Sequence, residues 1–264
     1  MRSRKLIGAA VGLMVVAVAV AAGAGTSRAS VAGTSAVAGT FAVAGTSALP
    51  QGSEPVVLKP ADFTTRIDNP YWPMKPGSRW VYRETDPDGT KLKVVITVTN
   101  QTKKVANGIT ARVVRDTVTA NGVLVEDTVD WYAQDKAGNI WYLGEFTKEY
   151  EQGKVVSTKG SFEAGVDGAQ PGIAMPANPT AGLSYRQEYY AGQAEDTGSI
   201  LSLREQVEVP FGHFGDIVMT RDLNALKPKA LEFKFFARGV GPVLAIGVSG
   251  GNGREELVQF TRGR

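Results

Sequence analysis

The chain has no cysteine and a single histidine, and beyond Ala22 it has no long apolar run. Without cysteine there is no disulfide, no thiol nucleophile, no thiolate metal site and no cysteine to carry a lipid. A Ser-His-Asp triad would have to use His213, and no G-x-S-x-G elbow accompanies it. A zinc site would draw almost wholly on carboxylates, which zinc seldom uses alone. His213, in VPFGHFGDIV, lies between a turn and a strand, the ordinary setting of a surface histidine. Catalysis by paired carboxylates survives these exclusions, because it needs only two acids at a suitable separation.

Basic clusters are missing too. The net charge is +3, but residues 1–50 hold Arg2, Arg4, Lys5 and Arg28 and no acid, which leaves 25 bases against 26 acids. The remainder is near neutral and has no Lys/Arg cluster interleaved with aromatics, so no nucleic-acid surface is expected.

The N-terminus carries the one strong targeting signal. A basic start, an apolar run from Leu6 to about Ala22 and small residues beyond it form a secretory signal peptide, assigned to residues 1–29. Ala22-Gly23-Ala24 and Ser27-Arg28-Ala29 are the two cleavage choices, and the alternative is an uncleaved membrane anchor. Residues 30–53 include Val-Ala-Gly-Thr repeats beginning at Val31, Val37 and Val43, too small in side chain to build a core, and are read as a disordered spacer. A wall-spanning or O-glycosylated stalk is the functional alternative. Residues 54–264 are read as a single globular domain.

That domain is punctuated by turns at short intervals, with β-rich runs between them. In KLKVVITVTN, Leu92, Val94, Ile96 and Val98 alternate with Lys93, Val95, Thr97 and Thr99, a period-two strand with one apolar face. Asn107-Gly108 and Asn121-Gly122 predict two-residue hairpin turns, whose two central residues need positive φ. Asp86-Pro87-Asp88-Gly89 and Asp135–Asn139 look like fragments of calcium loops but lack the full ligand series, and read as plain turns. No long stretch past the signal has helical periodicity. The expected fold is mostly β with little helix: a large curved antiparallel sheet of consecutive hairpins, a half-barrel or open barrel. Residues 165–184, with three prolines and four glycines, are expected to form a long loop at its rim.

Two hairpins carry the candidate sites. With a two-residue turn at Asn121-Gly122, Asp116 would face Asp127 on a valine-lined face, and such a carboxylate pair shares a proton or holds a cation. A slipped register, a bulge, or neutralisation by Arg112, Arg115 or Arg221 would dissolve the pair. In DWYAQDKAGNIWYLGE, alternation sends Trp131 and Tyr132 to opposite faces, and likewise Trp141 and Tyr142. With a five-residue loop Tyr132 faces Tyr142; with a four-residue loop Tyr132 faces Leu143. These four aromatics are the candidate ligand-binding residues, although cross-strand aromatic pairs also occur as ordinary sheet stabilisers.

NPYWPMKPGSRWVYRET, DWYAQDKAGNIWYLGE, VEVPFGHFGDIVMTRD and FKFFARGVGPVLAIG, in that order, resemble an uncharacterised family of secreted or periplasmic bacterial β-rich proteins over nearly the whole domain. Arg238 stands where that family usually has Pro, while the turn glycines Gly239 and Gly241 are kept. The resemblance implies an architecture similar to lipoprotein-carrier curved sheets, whose concave face holds an apolar chain. It brings no catalytic residues.

The sequence therefore points to an exported, secreted or cell-envelope protein that binds an apolar or amphipathic small molecule, a lipid or an envelope partner without catalysis. No cofactor, no metal and no nucleic acid are expected. The membrane is met only through the export signal, and the chain is expected to be a monomer. The rival is a carboxylate-dependent glycan hydrolase using a pair among Asp116, Asp127, Asp130 and Glu145; a ligand-free structural envelope protein is the third reading.

Overall fold

The computed structural model describes residues 49–86, 88–250 and 253–264. The signal peptide, and the spacer up to residue 48, lie outside the described residues. A turn of 3-10 helix at Pro60–Asp62 precedes the strands β1 (Phe63–Thr64), β2 (Arg79–Thr85), β3 (Lys91–Lys104), β4 (Thr110–Ala120), β5 (Val123–Asp135), β6 (Ile140–Glu151), β7 (Lys154–Ser157), β8 (Phe162–Glu163) and β9 (Gln170–Met175). There follow β10 (Ser184–Tyr190), β11 (Ala194–Val209), β12 (Gly212–Asn224), β13 (Leu231–Ala237), β14 (Gly241–Ser249) and β15 (Arg254–Thr261).

The chain is almost entirely β, as its turn spacing implies. The sheet, however, does not stay open. Its path runs from β5 through β4, β3, β2, β15, β14, β13, β12, β11, β10 and β9 to β6, and β6 pairs again with β5, so a 12-strand antiparallel barrel closes on itself. Closure removes the unpaired edges that an open half-barrel would expose. β1, β7 and β8 are short additions on β5 and β6.

The closing strand comes from the segment expected to be a rim loop. Within residues 165–184, β9 sets Ile173 opposite Trp141 and Gly172 opposite Tyr142 on one side, and Pro171 opposite Glu188 on the other. Proline and glycine conceal this strand because neither supports a readable alternation. Gly172 is needed because a Cβ there would lie 2.3 Å from the Gln187 carbonyl oxygen. Pro171 lacks a donor, but its carbonyl accepts from Nε and Nη2 of the buried Arg186 at 3.2 and 2.9 Å. Arg186 also donates from Nη1 to the carbonyls of Gly52 and Glu54, so residues 50–54 lie against β10.

The turns decide the registers. Asn121 and Gly122 have φ of 51° and 80°, the left-handed pair expected there. At Asn107-Gly108 only Gly108 is left-handed, and a wider turn forms in which Gly108 N–H donates to Val105 O and Val105 N–H to Ile109 O.

Residues 66–76 cross one end of the barrel as a plug. Asn69 Nδ2 donates to Gly138 O at 3.0 Å and Pro176 O at 3.1 Å, tying two end loops together. Gly239 N–H donates to Pro70 O at 2.7 Å and fixes a third. Trp72 then stands 5.8 Å from Tyr132 and 5.7 Å from Phe236, ring centre to ring centre, with Gly241 directly against its edge. These contacts account for the Asn-Pro-Tyr-Trp-Pro and Gly-Val-Gly blocks near the two ends of the domain. The opposite end is bordered by the β2–β3, β4–β5, β6–β7, β10–β11, β12–β13 and β14–β15 connections.

Candidate functional site

Strand alternation sorts the interior into two halves. Toward the plug the lumen holds Trp72, Trp80, Tyr132 and Phe236; toward the other end it holds carboxyls and one amine. On β2 the change is visible within five residues, because Trp80, Tyr82 and Glu84 share a face.

At mid-barrel, β5 and β6 place Tyr132 opposite Tyr142, the register of the five-residue loop, and their rings stack at 4.9 Å with 19° between planes. One rung further the ladder shifts, and Asp130 meets Glu145. The Tyr142 hydroxyl lies 2.7 Å from Glu145 Oε2 and 2.9 Å from Asp130 Oδ1. A phenol has one proton to donate, so the second contact requires a protonated carboxyl as donor. Burial and the Asp130 charge push Glu145 well above the usual carboxylate range. Burial raises Asp130 to about 7, against the lowering effect of the Tyr142 hydrogen bond. The consistent arrangement is Glu145 protonated and donating to Tyr142, which donates to Asp130.

Trp131 and Trp141 face outward and line nothing in the lumen. Lys103 Nζ sits 3.5 Å over the Trp131 ring and is itself 2.7 Å from Glu163. Trp141 packs edge-on to Phe63 at 6.0 Å and donates from Nε1 to Asp135 Oδ2 at 2.8 Å. Of the four candidate aromatics only Tyr132 and Tyr142 reach the interior.

The expected pairing of Asp116 with Asp127 does not form. The extra residue Val125 creates a bulge between β4 and β5, so Asp116 faces Thr128 and Asp127 faces Thr117. Asp127 therefore turns outward, where Arg115 binds it at 2.7 and 3.2 Å. Asp116 stays inside, and burial, with Asp130, Glu126 and Glu84 nearby, holds its pKa well above the ordinary range.

Sequence reasoning missed the rest of the lumen. Glu188 and Asp196 face each other across β10 and β11. Burial and the Asp196 charge raise Glu188 strongly, and burial brings Asp196 to about 6. Glu255 lies opposite Glu84 and is raised by burial and by that neighbour. Lys234 is the one buried lysine among the described residues; its Nζ is 2.9 Å from Asp222 and 3.3 Å from Glu232. Burial alone would depress this ammonium, but Asp222 and Glu232 outweigh it and raise its pKa. Asp222 is further fixed by Thr220 at 2.7 Å and Gln187 at 3.0 Å. Acids at alternating positions read as a solvent face, so period two alone could not have found these residues. The usable signal was their placement in phase with aromatics, as in Trp80, Tyr82 and Glu84.

The two arginines buried among the described residues do not serve these acids. Arg112 donates to the carbonyls of Thr65, Thr99 and Gln101, and Arg186 to those of Pro171, Gly52 and Glu54. Among the described residues no group of three or more His, Asp or Glu is arranged to hold a metal ion.

The class thus defined is a closed antiparallel barrel, plugged at one end, with a lumen divided into aromatic and acidic halves. No protein-family model matches the chain, and no curated protein matches its sequence. Among solved structures, one described as a putative lipoprotein from Parabacteroides distasonis is similar to it at 11% identity and a TM-score of 0.38, over 72% of this chain and 98% of that one.

Proposed function

We propose that this is an exported, non-catalytic binding protein that holds an amphipathic molecule in the barrel lumen. The observation that carries the reading is the division of one enclosed interior into an aromatic half and a carboxyl half. Side chains fill an eight-stranded barrel, whereas wider barrels enclose room for a ligand. An apolar tail fits against Trp72, Trp80 and Phe236, and a polar head among the acids. Export rests on the N-terminal signal sequence. The outer face carries Arg83, Lys93, Arg115 and Arg221, all exposed, which suits a wall facing water and opposes a lipid-facing band.

A glycan hydrolase needs a groove open to a chain of sugars. Asp130 and Glu145 are 1% and 4% exposed, so that reading lacks the access it requires. Native mass spectrometry of the full chain, expressed with export, tests the binding proposal together with titration of an environment-sensitive apolar dye. A co-purified small molecule, or saturable dye binding that the co-purified molecule competes away, is the expected result. The absence of both a co-purified molecule and dye binding would overturn it.

A further inference from the structure

The lumen already encloses one alkylammonium group, that of Lys234, between Asp222 and Glu232 on the β12–β13 wall. An arc of carboxyls on β15, β4 and β5 lines the same interior, and among the described residues no lysine or arginine ion-pairs with Glu255, Asp116 or Asp130. Both carboxyl oxygens of Glu255, Oδ1 of Asp116 and Oδ2 of Asp130 meet no protein hydrogen-bond donor, although these residues are only 2%, 4% and 1% exposed. Buried polar atoms in native proteins are nearly always satisfied, and enclosed carboxyls left without a protein partner suit a cationic donor, beside which they give up their protons and accept as carboxylates. The chain has guanidinium groups to spend, yet Arg112 and Arg186 are bound to carbonyls elsewhere.

We infer that the lumen's acidic half selects a protonated aliphatic amine as the head group of its ligand, with Glu255, Asp116 and Asp130 as acceptors. This rests on the proposal that the lumen binds an amphipathic molecule, and it names that molecule's class. A metal ion is a poorer fit, because metal ligands must converge on one point at about 2–2.6 Å, whereas these acids are spread over three strands. An ammonium has three rotatable donors and can bridge acceptors on neighbouring strands. The stacked Tyr132 and Tyr142 rings stand beside Asp130 and mark where the acids give way to aromatics, and Trp72 lies 5.8 Å beyond Tyr132. An amine head at the arc therefore directs an alkyl tail toward the plug.

The test compares three probes that share one tail, decylamine, decanol and decanoate, by calorimetric titration of the full chain near neutral pH. Decylamine is expected to bind at least about ten-fold tighter than decanol, since its ammonium draws the protons off the neighbouring carboxyls and hydrogen bonds between charged partners are the strong ones, and decanoate is expected to bind weakest. Glu255→Gln and Asp116→Asn should remove most of the amine preference while leaving decanol binding in place. Asp127→Asn, on the outer face, should leave the preference intact. Circular dichroism checks that each variant folds, and the wild-type probe ranking stands as a test without them. Decanol binding as tightly as decylamine, or an amine preference unchanged in both folded lumen variants, overturns the inference but leaves the binding proposal standing. Failure of all three probes and of the apolar dye overturns both.

Discussion

Lys234 Nζ lies 2.9 Å from Asp222 Oδ2 in the barrel interior, with the two side chains 6% and 8% exposed. Removing the amine would leave Asp222 and Glu232 enclosed without a counter-charge. Breaking such a buried pair from one side costs about 3–5 kcal/mol. Lys234→Met is expected to lose stability in that range in denaturant titrations. Lys234→Met combined with Asp222→Leu and Glu232→Leu should recover part of it. A single variant as stable as the parent would show that these charges are not enclosed.

Tyr142 mediates between two acids that face each other. Tyr142→Phe keeps the ring stacked on Tyr132 but leaves Asp130 and Glu145 without the bridging hydroxyl. The expected loss is about 1–3 kcal/mol, read by chemical denaturation, and it should be larger at pH 8 than at pH 5, where protonated carboxyls can bond each other.

The enclosed acids also set the pH dependence of the whole fold. Burial is the largest cause that lifts Glu126 and Asp130 to about 7 and Asp196 to about 6, against about 4 for such groups in an unfolded chain. Between about pH 4 and 7 the folded state binds more protons than the unfolded state, so stability falls as pH rises through that window. Thermal unfolding should give a higher Tm at pH 5 than at pH 8. The reverse order would count against an acid-lined interior.

Asp127 offers the contrast. It is paired with Arg115 on the outer face, where ion pairs contribute about 0–1 kcal/mol. Asp127→Asn should therefore change stability little, at any pH and with or without divalent metal. Asp116→Asn removes an enclosed carboxyl instead, and should flatten the decline in Tm between pH 5 and pH 8.

Trp72 holds the plug against Tyr132 and Phe236. Trp72→Ala should cost about 3–5 kcal/mol, as large-to-small changes of buried aromatics do, and make amides of residues 66–76 exchange faster than those of β3 or β4. Uniform exchange across the chain would show that the plug is not a separate element.

Much of the wall was legible in the chain. The alternation of Leu92, Val94, Ile96 and Val98 and the left-handed Asn121-Gly122 turn each follow from local stereochemistry, whereas the sequence allows a four- or a five-residue loop after Gln134 and the β5–β6 pairing selects five. The closing strand was not, because Gln170–Met175 is recognised only by what it pairs with: β6 on one side and β10 on the other. The carboxylate pair failed for a similar reason. The bulge at Val125 shifts the ladder by one residue, and a shift of one sends Asp127 to the opposite face from Asp116.

By itself, then, the sequence determined an all-β chain of hairpins and the two alternating sets of side chains on each strand, since φ/ψ preferences and a period of two are local properties. Which set faces inward was decided by the tertiary structure. Closing the sheet gives every strand the same interior, and that interior is wide enough to take Glu255, Asp116 and Asp130 beside Trp80 and Tyr142. Burial then turns acids that would be ordinary on a surface into groups that hold their protons near neutral pH, because taking a charge out of water costs more than keeping the proton.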